Sequence, residues 1–277
     1  MNRPLANKIR GLLLLQLALA SCASPTNSNL RNIEGDLERI RTTDVLLVSD
    51  HTLPQHLNLS TGGANGEERL FIDPTITSLS DKLLAAGLKP YTLNVEDMTI
   101  NGEITNRKDF DAAYAQYDEI LSAAVNAGAT IVAIHYDADL ISAEDYGSDV
   151  AYASAEEEGR QYGYVGGIQL ILDARATSDA TLQLADIIIH RDQILQQLSA
   201  VGFRIRPGYD DEVRFQDNQT MHIAGNSEGG AFLLEIAPLD QAVRLFQTPD
   251  RIVTAIAQPL ASLADTIRQF RAESVGQ

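Results

Sequence analysis

One cysteine, Cys22, is all the thiol this 277-residue chain carries, so no disulfide within the chain can hold it together. Basic residues are scarce too. Against 38 Asp and Glu there are 21 Lys and Arg, a formal net charge of −17. A surface that acidic repels nucleic acid and anionic lipid headgroups, which excludes both as partners of the folded part. Long apolar runs are also missing: the stretch from Gly11 to Ala20 is too short and too oddly flanked for a stable transmembrane helix. There is no internal repeat and no low-complexity block.

The N-terminus supplies what those absences leave open. MNRPLANKIRGLLLLQLALASC has three basic residues and no acidic one ahead of its apolar stretch, the layout of a secretory signal. It ends Leu19-Ala20-Ser21-Cys22, the small-residue-then-cysteine pattern of a bacterial lipoprotein signal; the plainer reading is an ordinary signal peptide with a chance cysteine. Lipidation at Cys22 would explain a single thiol in an exported chain. Residues 1–21 are then a removed signal peptide and 22–42 a mostly polar tether. Losing the signal takes the net charge to −20, so membrane contact would come through acyl chains rather than through the protein surface. Ala23 after the cysteine is similar to an outer-membrane address, which gives a cell-envelope location facing the periplasm.

Residues 43–272 suit one well-buried domain and are too few for two comfortable ones, with 273–277 left as a tail. Runs of strand length occur at 44–49 (DVLLVS), 90–93, 130–134 (TIVAI), 168–172 (IQLIL) and 232–236 (FLLEI). Helical spacing occupies 79–86, stopped by Gly87, then 110–126, 182–201 and 251–270. Continuous apolar strands alternating with helices give an α/β class: a single domain whose mostly parallel sheet carries helices on both faces. In such sheets ligands bind beyond the carboxyl ends of the strands. His51 follows the first strand, His135 ends TIVAI, and Glu235 interrupts FLLEI.

Three ligands drawn from His, Asp and Glu commonly hold a catalytic zinc, and a further carboxylate shuttles the proton of the attacking water. Taken alone, His135 reads as a hydrogen-bonded strand-end histidine. Glu235 could equally point to an exposed sheet edge; buried and ionised it needs a compensating partner. His56 is an alternative ligand or a solvated loop residue. His190 and His222 read as structural, with His222 a candidate for contact with the transition-state oxygen. Glu156, Glu157 and Glu158 read as a solvated face, or as a rim selecting a cationic substrate group. The glycine pairs Gly62-Gly63 and Gly229-Gly230 lack phosphate-binding spacing and are turns.

Four segments together resemble the zinc-dependent N-acetylmuramoyl-L-alanine amidases, in order, from about residue 43 to 272. DVLLVSDH stands where that family's first strand ends in a zinc-binding histidine. STGGANGEER precedes a helix closing LLAAG, where the family has its glutamate ligand. Ala133-Ile134-His135-Tyr136-Asp137 resembles Ser-Ile-His-Ala-Asn, and GGAFLLEIAPLDQ resembles the segment around the catalytic glutamate. SDATLQLADIIIHRDQILQQL is similar to a further family helix. The resemblance implies Zn2+ held by His51, Glu68 and His135, with Glu235 catalytic; Glu68 matches better than Glu67 by its distance from Gly87. It implies a peptidoglycan or muropeptide substrate, and leaves a protein activator open.

The sequence departs from the family at Val48-Ser49-Asp50-His51-Thr52-Leu53, where the glycines around the first ligand are lost, at Asp137 in place of Asn, and in the acidic stretch 139–163. Two other readings therefore stand beside the amidase: a zinc amidohydrolase or carboxypeptidase acting on another peptide or N-acyl amino acid, and a non-catalytic peptidoglycan-binding envelope lipoprotein.

Overall fold

A computed structural model describes residues 30–49, 65–102, 104–137, 148–161, 167–173, 193–206, 214–216, 230–241 and 247–275. Its centre is a six-stranded sheet: β1 (Val45–Ser49), β2 (Pro90–Asn94), β3 (Thr130–Asp137), β4 (Gln169–Asp173), β5 (Arg214–Gln216) and β6 (Ala231–Pro238), in spatial order β2-β1-β3-β6-β4-β5. β1, β2, β3 and β6 run parallel, as does β4 with β5, but β4 is antiparallel to β6. The α/β class with a mostly parallel sheet is therefore the observed one. The near-continuous apolar runs explain it, because both sheet faces are covered and neither can be polar.

One face packs against α2 (Asn65–Ala85), α5 (residues 193–201) and α6 (Pro249–Val275); its buried row includes Leu47, Val132, Ile134, Leu170 and Leu234. The opposite face, with Leu46, Val48, Ile131, Ala133 and Leu233, packs against α1 (Glu34–Ile40) and α3 (Arg107–Ala127). α3 is well punctuated. The Asn106 side chain accepts from the Asp109 N–H at 3.0 Å, and Gly128, at φ 70°, closes the C-terminus with its N–H on Ala124 and Val125 carbonyls. Between the caps, Phe110, Ala113, Tyr114, Tyr117, Ile120, Leu121 and Ala124 form the inward stripe at three- and four-residue spacing.

Several elements differ from the sequence expectation. α2 begins at Asn65 rather than Leu79, because Phe71, Ile72 and Ile76 continue the buried stripe of Leu79 and Leu83 past Pro74. Pro74 deletes one intrahelical hydrogen bond but lies on the exposed side, where packing of the other face outweighs it. α4 (Asp149–Gln161) occupies part of the acidic stretch, and Glu157 and Glu158 are exposed on it, as a solvated face requires.

Residues 30–42, expected to belong to the tether, instead dock on the domain. Ile33 and Ile40 are buried in the core, and the Leu30–Thr99 bridge and the Arg31 N–H to the Met98 carbonyl tie the segment down. Buried Asp36 anchors α1 by accepting from the Tyr91 hydroxyl and pairing with Arg31 at 2.5 Å. Polar composition suggested a tether, but the polar groups face one another.

Burial, reinforced by the Asp36 hydrogen bond and opposed by Arg31, pushes the Tyr91 phenol up to about 12 from 10.0. A raised phenol pKa means the fold favours the neutral form, so this contribution to stability is complete below pH 10 and is lost as pH climbs through 12. Urea unfolding at stepped pH should show wild-type stability falling across pH 10–12 more steeply than Tyr91→Phe. At pH 7, Asp36→Ala should cost about 1–3 kcal/mol by leaving Arg31 and Tyr91 without their acceptor.

Candidate functional site

The carboxyl ends of β1, β3 and β6 lie together at one edge of the sheet, as parallel pairing demands. β3 carries His135 there, and its partner in register on β6 is Glu235. The register then shifts: Asp137 pairs with Pro238, so Ile236 and Ala237 stand opposite the single residue Tyr136. A bulge at this point ends regular pairing and re-aims the side chains that follow. β6 is flanked by β3 and β4, so Glu235 lies on an internal strand and not on an outermost one; it is half-buried.

α2 delivers the second acidic residue. Glu68, in the first turn, is buried; its Oε2 accepts from the Tyr136 backbone N–H at 3.3 Å and lies 3.7 Å from His135 Nδ1. The first turn of a helix favours a carboxylate electrostatically. Further along the same helix, Thr75 Oγ1 shares a 2.7 Å hydrogen bond with the Tyr136 hydroxyl, and the Phe71 and Tyr136 rings lie 5.5 Å apart. These contacts lock the start of α2 onto the end of β3. Full burial holds the Tyr136 phenol above its ordinary pKa, with the Thr75 hydrogen bond pulling the other way.

The 3.7 Å gap between His135 Nδ1 and Glu68 Oε2 is too long for a hydrogen bond. It is close to the separation of two donors on one tetrahedral zinc, which at metal–ligand lengths of about 2.1 Å is about 3.4 Å. The buried His-carboxylate pair thus fits two corners of a zinc site. Among the described residues, no group of three His, Cys, Asp or Glu side chains gathers as a metal site. His51 lies outside the described residues, as do His56, His190, His222 and Cys22. Glu67, Asp137 and Glu156 have their backbone described but not their side chains.

Of the expected site residues, then, the structure brings together Glu68, His135 and Glu235. It adds two that sequence reasoning passed over. Gln169, the first residue of β4, is buried and stands in register with Glu235 on the side away from His135. Ser49, the last residue of β1, is 1% exposed, and its Oγ has no hydrogen-bond partner among the described residues. The signal for both was present: a polar residue inside or closing an apolar run, the same mark that singled out Glu235.

No family model and no curated protein matches this chain. Among solved structures it is similar to the apo form of the N-acetylmuramyl-L-alanine amidase Ami1 from Mycobacterium abscessus, at 11% identity and TM-score 0.48, over 79% of this chain and 97% of that one. It is similar to Cwp6 from Clostridium difficile at 15% identity and TM-score 0.42, over 81% of this chain but 29% of that one. A carboxypeptidase A candidate from Shewanella denitrificans follows at 12% identity and TM-score 0.44, with 82% and 58% covered. At these values the likenesses assign neither an activity nor a site.

If the Thr75–Tyr136 contact is what positions Glu68, Thr75→Val and Tyr136→Phe should each cost about 1–2 kcal/mol, because each leaves a buried hydroxyl unbonded. The double variant should cost less than the two together. Denaturant unfolding of the four proteins measures this coupling.

Proposed function

We propose that this chain is a zinc-dependent hydrolase that cleaves the amide between N-acetylmuramic acid and the L-alanine of the peptidoglycan stem peptide. The observation that carries the reading is the convergence of three chemical groups at one sheet edge: the buried His135–Glu68 pair at 3.7 Å and Glu235 in register with His135 on the adjoining strand. A carboxylate as buried as Glu68 is tolerated where cationic charge compensates it. A ligand set of His51, Glu68 and His135 is consistent with that need.

Zinc held by those residues would polarise the scissile carbonyl and lower the pKa of water to about 7. Glu68 and His135 fix the donor geometry, Glu68 through the Tyr136 N–H and the α2–β3 lock. Glu235 receives on its carboxylate the proton of the water whose oxygen bonds to the carbonyl carbon. As the carbon–nitrogen bond breaks, Glu235 passes that proton to the departing L-alanine nitrogen. Half-burial suits this work, since the group must meet both protein and substrate.

In this reading the chain is exported, lipidated at Cys22 and held at the outer membrane facing the periplasm. With only the seven residues 23–29 between Cys22 and the docked segment from Leu30 onward, a lipid on Cys22 would keep the domain close to the bilayer.

Digestion of purified muropeptides, followed by mass spectrometry, tests the reaction. Wild-type protein should release an intact stem peptide from muramic acid, and Glu235→Gln should lower kcat about 10²–10⁴-fold while still binding zinc. Release of a single terminal amino acid would identify a carboxypeptidase instead. Binding to cell walls without turnover, unchanged by Glu235→Gln, would identify a non-catalytic envelope protein.

A further inference from the structure

The docked segment enters the domain at the end of the sheet that carries the site. Leu30 bridges to Thr99, the Arg31 N–H donates to the Met98 carbonyl at 3.1 Å, and the Arg31 Nε donates to the Asp97 carbonyl. Those three partners lie just past Asn94, where β2 ends beside β1. From there α1 leads to Asp44, whose N–H donates at 3.0 Å to the carbonyl of Lys89, the residue before β2 begins. α1 therefore runs against the parallel strands, from the site end to the far end.

A further contact fixes the height of the entry point. Gln116 Nε2 donates to the Arg31 carbonyl at 3.1 Å. α3 closes at Gly128, just before β3 starts, and Gln116 precedes Ala127 by eleven residues, about 16 Å along the helix. His135 follows Thr130 by five residues, about 16 Å along the strand. Arg31 is thus level with His135. Across the sheet, β2 and β6 are three strand spacings apart, about 14 Å. Ile33 and Ile40 in the core, and Asp36 bonded to Arg31 and the Tyr91 hydroxyl, keep the segment in place.

Cys22 is eight residue steps ahead of Leu30, and eight steps of chain span at most about 29 Å in any conformation. A domain of this length is about 45 Å across. Chain that short cannot pass round the domain to hold its far end against the membrane.

We propose that the site-bearing end of the sheet faces the lipid bilayer that carries this chain's own anchor, so that His135, Glu68 and Glu235 work on material in the layer next to the membrane. The proposal rests on the reading of Cys22 as lipidated. A net charge of −20 without the signal gives the protein surface no attraction to anionic headgroups, so the point of entry sets the orientation and the acyl chains supply the affinity. In every orientation the tether allows, the site stays within about 50 Å of the lipid surface.

A lipid on Cys22 leaves the chain no free thiol, so one introduced cysteine takes one dye. Ser154, exposed on α4, marks the site end, because α4 packs against the Leu239–Gln241 turn that follows β6. Ala86, exposed just after α2 and shortly before β2 begins, marks the far end. The full lipidated chain, carrying Ser154→Cys or Ala86→Cys and a donor dye, is reconstituted in phosphatidylcholine vesicles with an energy-transfer acceptor on the headgroups. Transfer from Ser154→Cys should be at least about twofold more efficient than from Ala86→Cys. Twenty Gly and Ser residues inserted between Ser28 and Asn29, which span about 25 Å, should bring the ratio toward one while circular dichroism stays unchanged.

Equal transfer from the two positions, or more from Ala86→Cys, overturns the proposal with the anchor intact. Mass spectrometry of the Cys22 peptide decides the anchor separately: no acyl mass there overturns the anchor reading and the proposal with it, and leaves the hydrolase reading to the muropeptide digest. Stronger transfer from Ser154→Cys in a chain that turns over no muropeptide upholds the orientation while the hydrolase reading fails.

Discussion

A carboxylate buried beside an imidazole is the constraint around which this fold is arranged. Glu68 sits in the first turn of α2, almost wholly withdrawn from water, with the Tyr136 N–H on one oxygen and His135 just beyond hydrogen-bond distance. Withdrawing that charge from solvent costs several kcal/mol unless neighbours offset it. Much of the adjacent structure serves the purpose. The helix start offers its dipole, the Thr75–Tyr136 hydrogen bond and the Phe71–Tyr136 ring contact fix helix to strand, and the bulge after His135 shifts the register between β3 and β6 at this end of the sheet.

The sheet supplies the rest by topology. Parallel strands bring their carboxyl ends to one edge, so β3 and β6 present His135 and Glu235 side by side with no loop needing to reach across. β4 and β5 run opposite to the other four strands, and β4 thereby adds its first residue, Gln169, to the same end of the sheet. α1, meanwhile, is held on the far face by a half-buried polar cluster of Asp36, Arg31 and Tyr91 rather than by apolar packing alone.

How much of this was legible in the sequence depended on the contrast each residue makes with its surroundings. β1, β3, β4 and β6 stood out because a strand buried on both faces is apolar at every position, and α3 and α6 because their stripes recur at helical spacing. His135 and Glu235 stood out as polar breaks in such runs. The start of α2 did not, because Pro74 and the glycine-rich stretch before it carry the marks of a loop while the decisive contacts of Phe71 and Ile72 are tertiary. α1 was hidden for a related reason: its anchoring partners, Tyr91 and the Met98 carbonyl, lie far along the chain. β5 is three residues long, too short for any periodicity. That Gln169 shares a row with Glu235 required strand order and direction, neither of which a single strand's sequence contains.

Metal content tests the central claim most directly. Residues 23–277, purified, reconstituted with zinc and dialysed, should hold one zinc per chain, and His135→Ala should hold none while keeping its fold by circular dichroism. A wild-type chain that retains no zinc, or a His135→Ala chain that retains as much, would contradict the account.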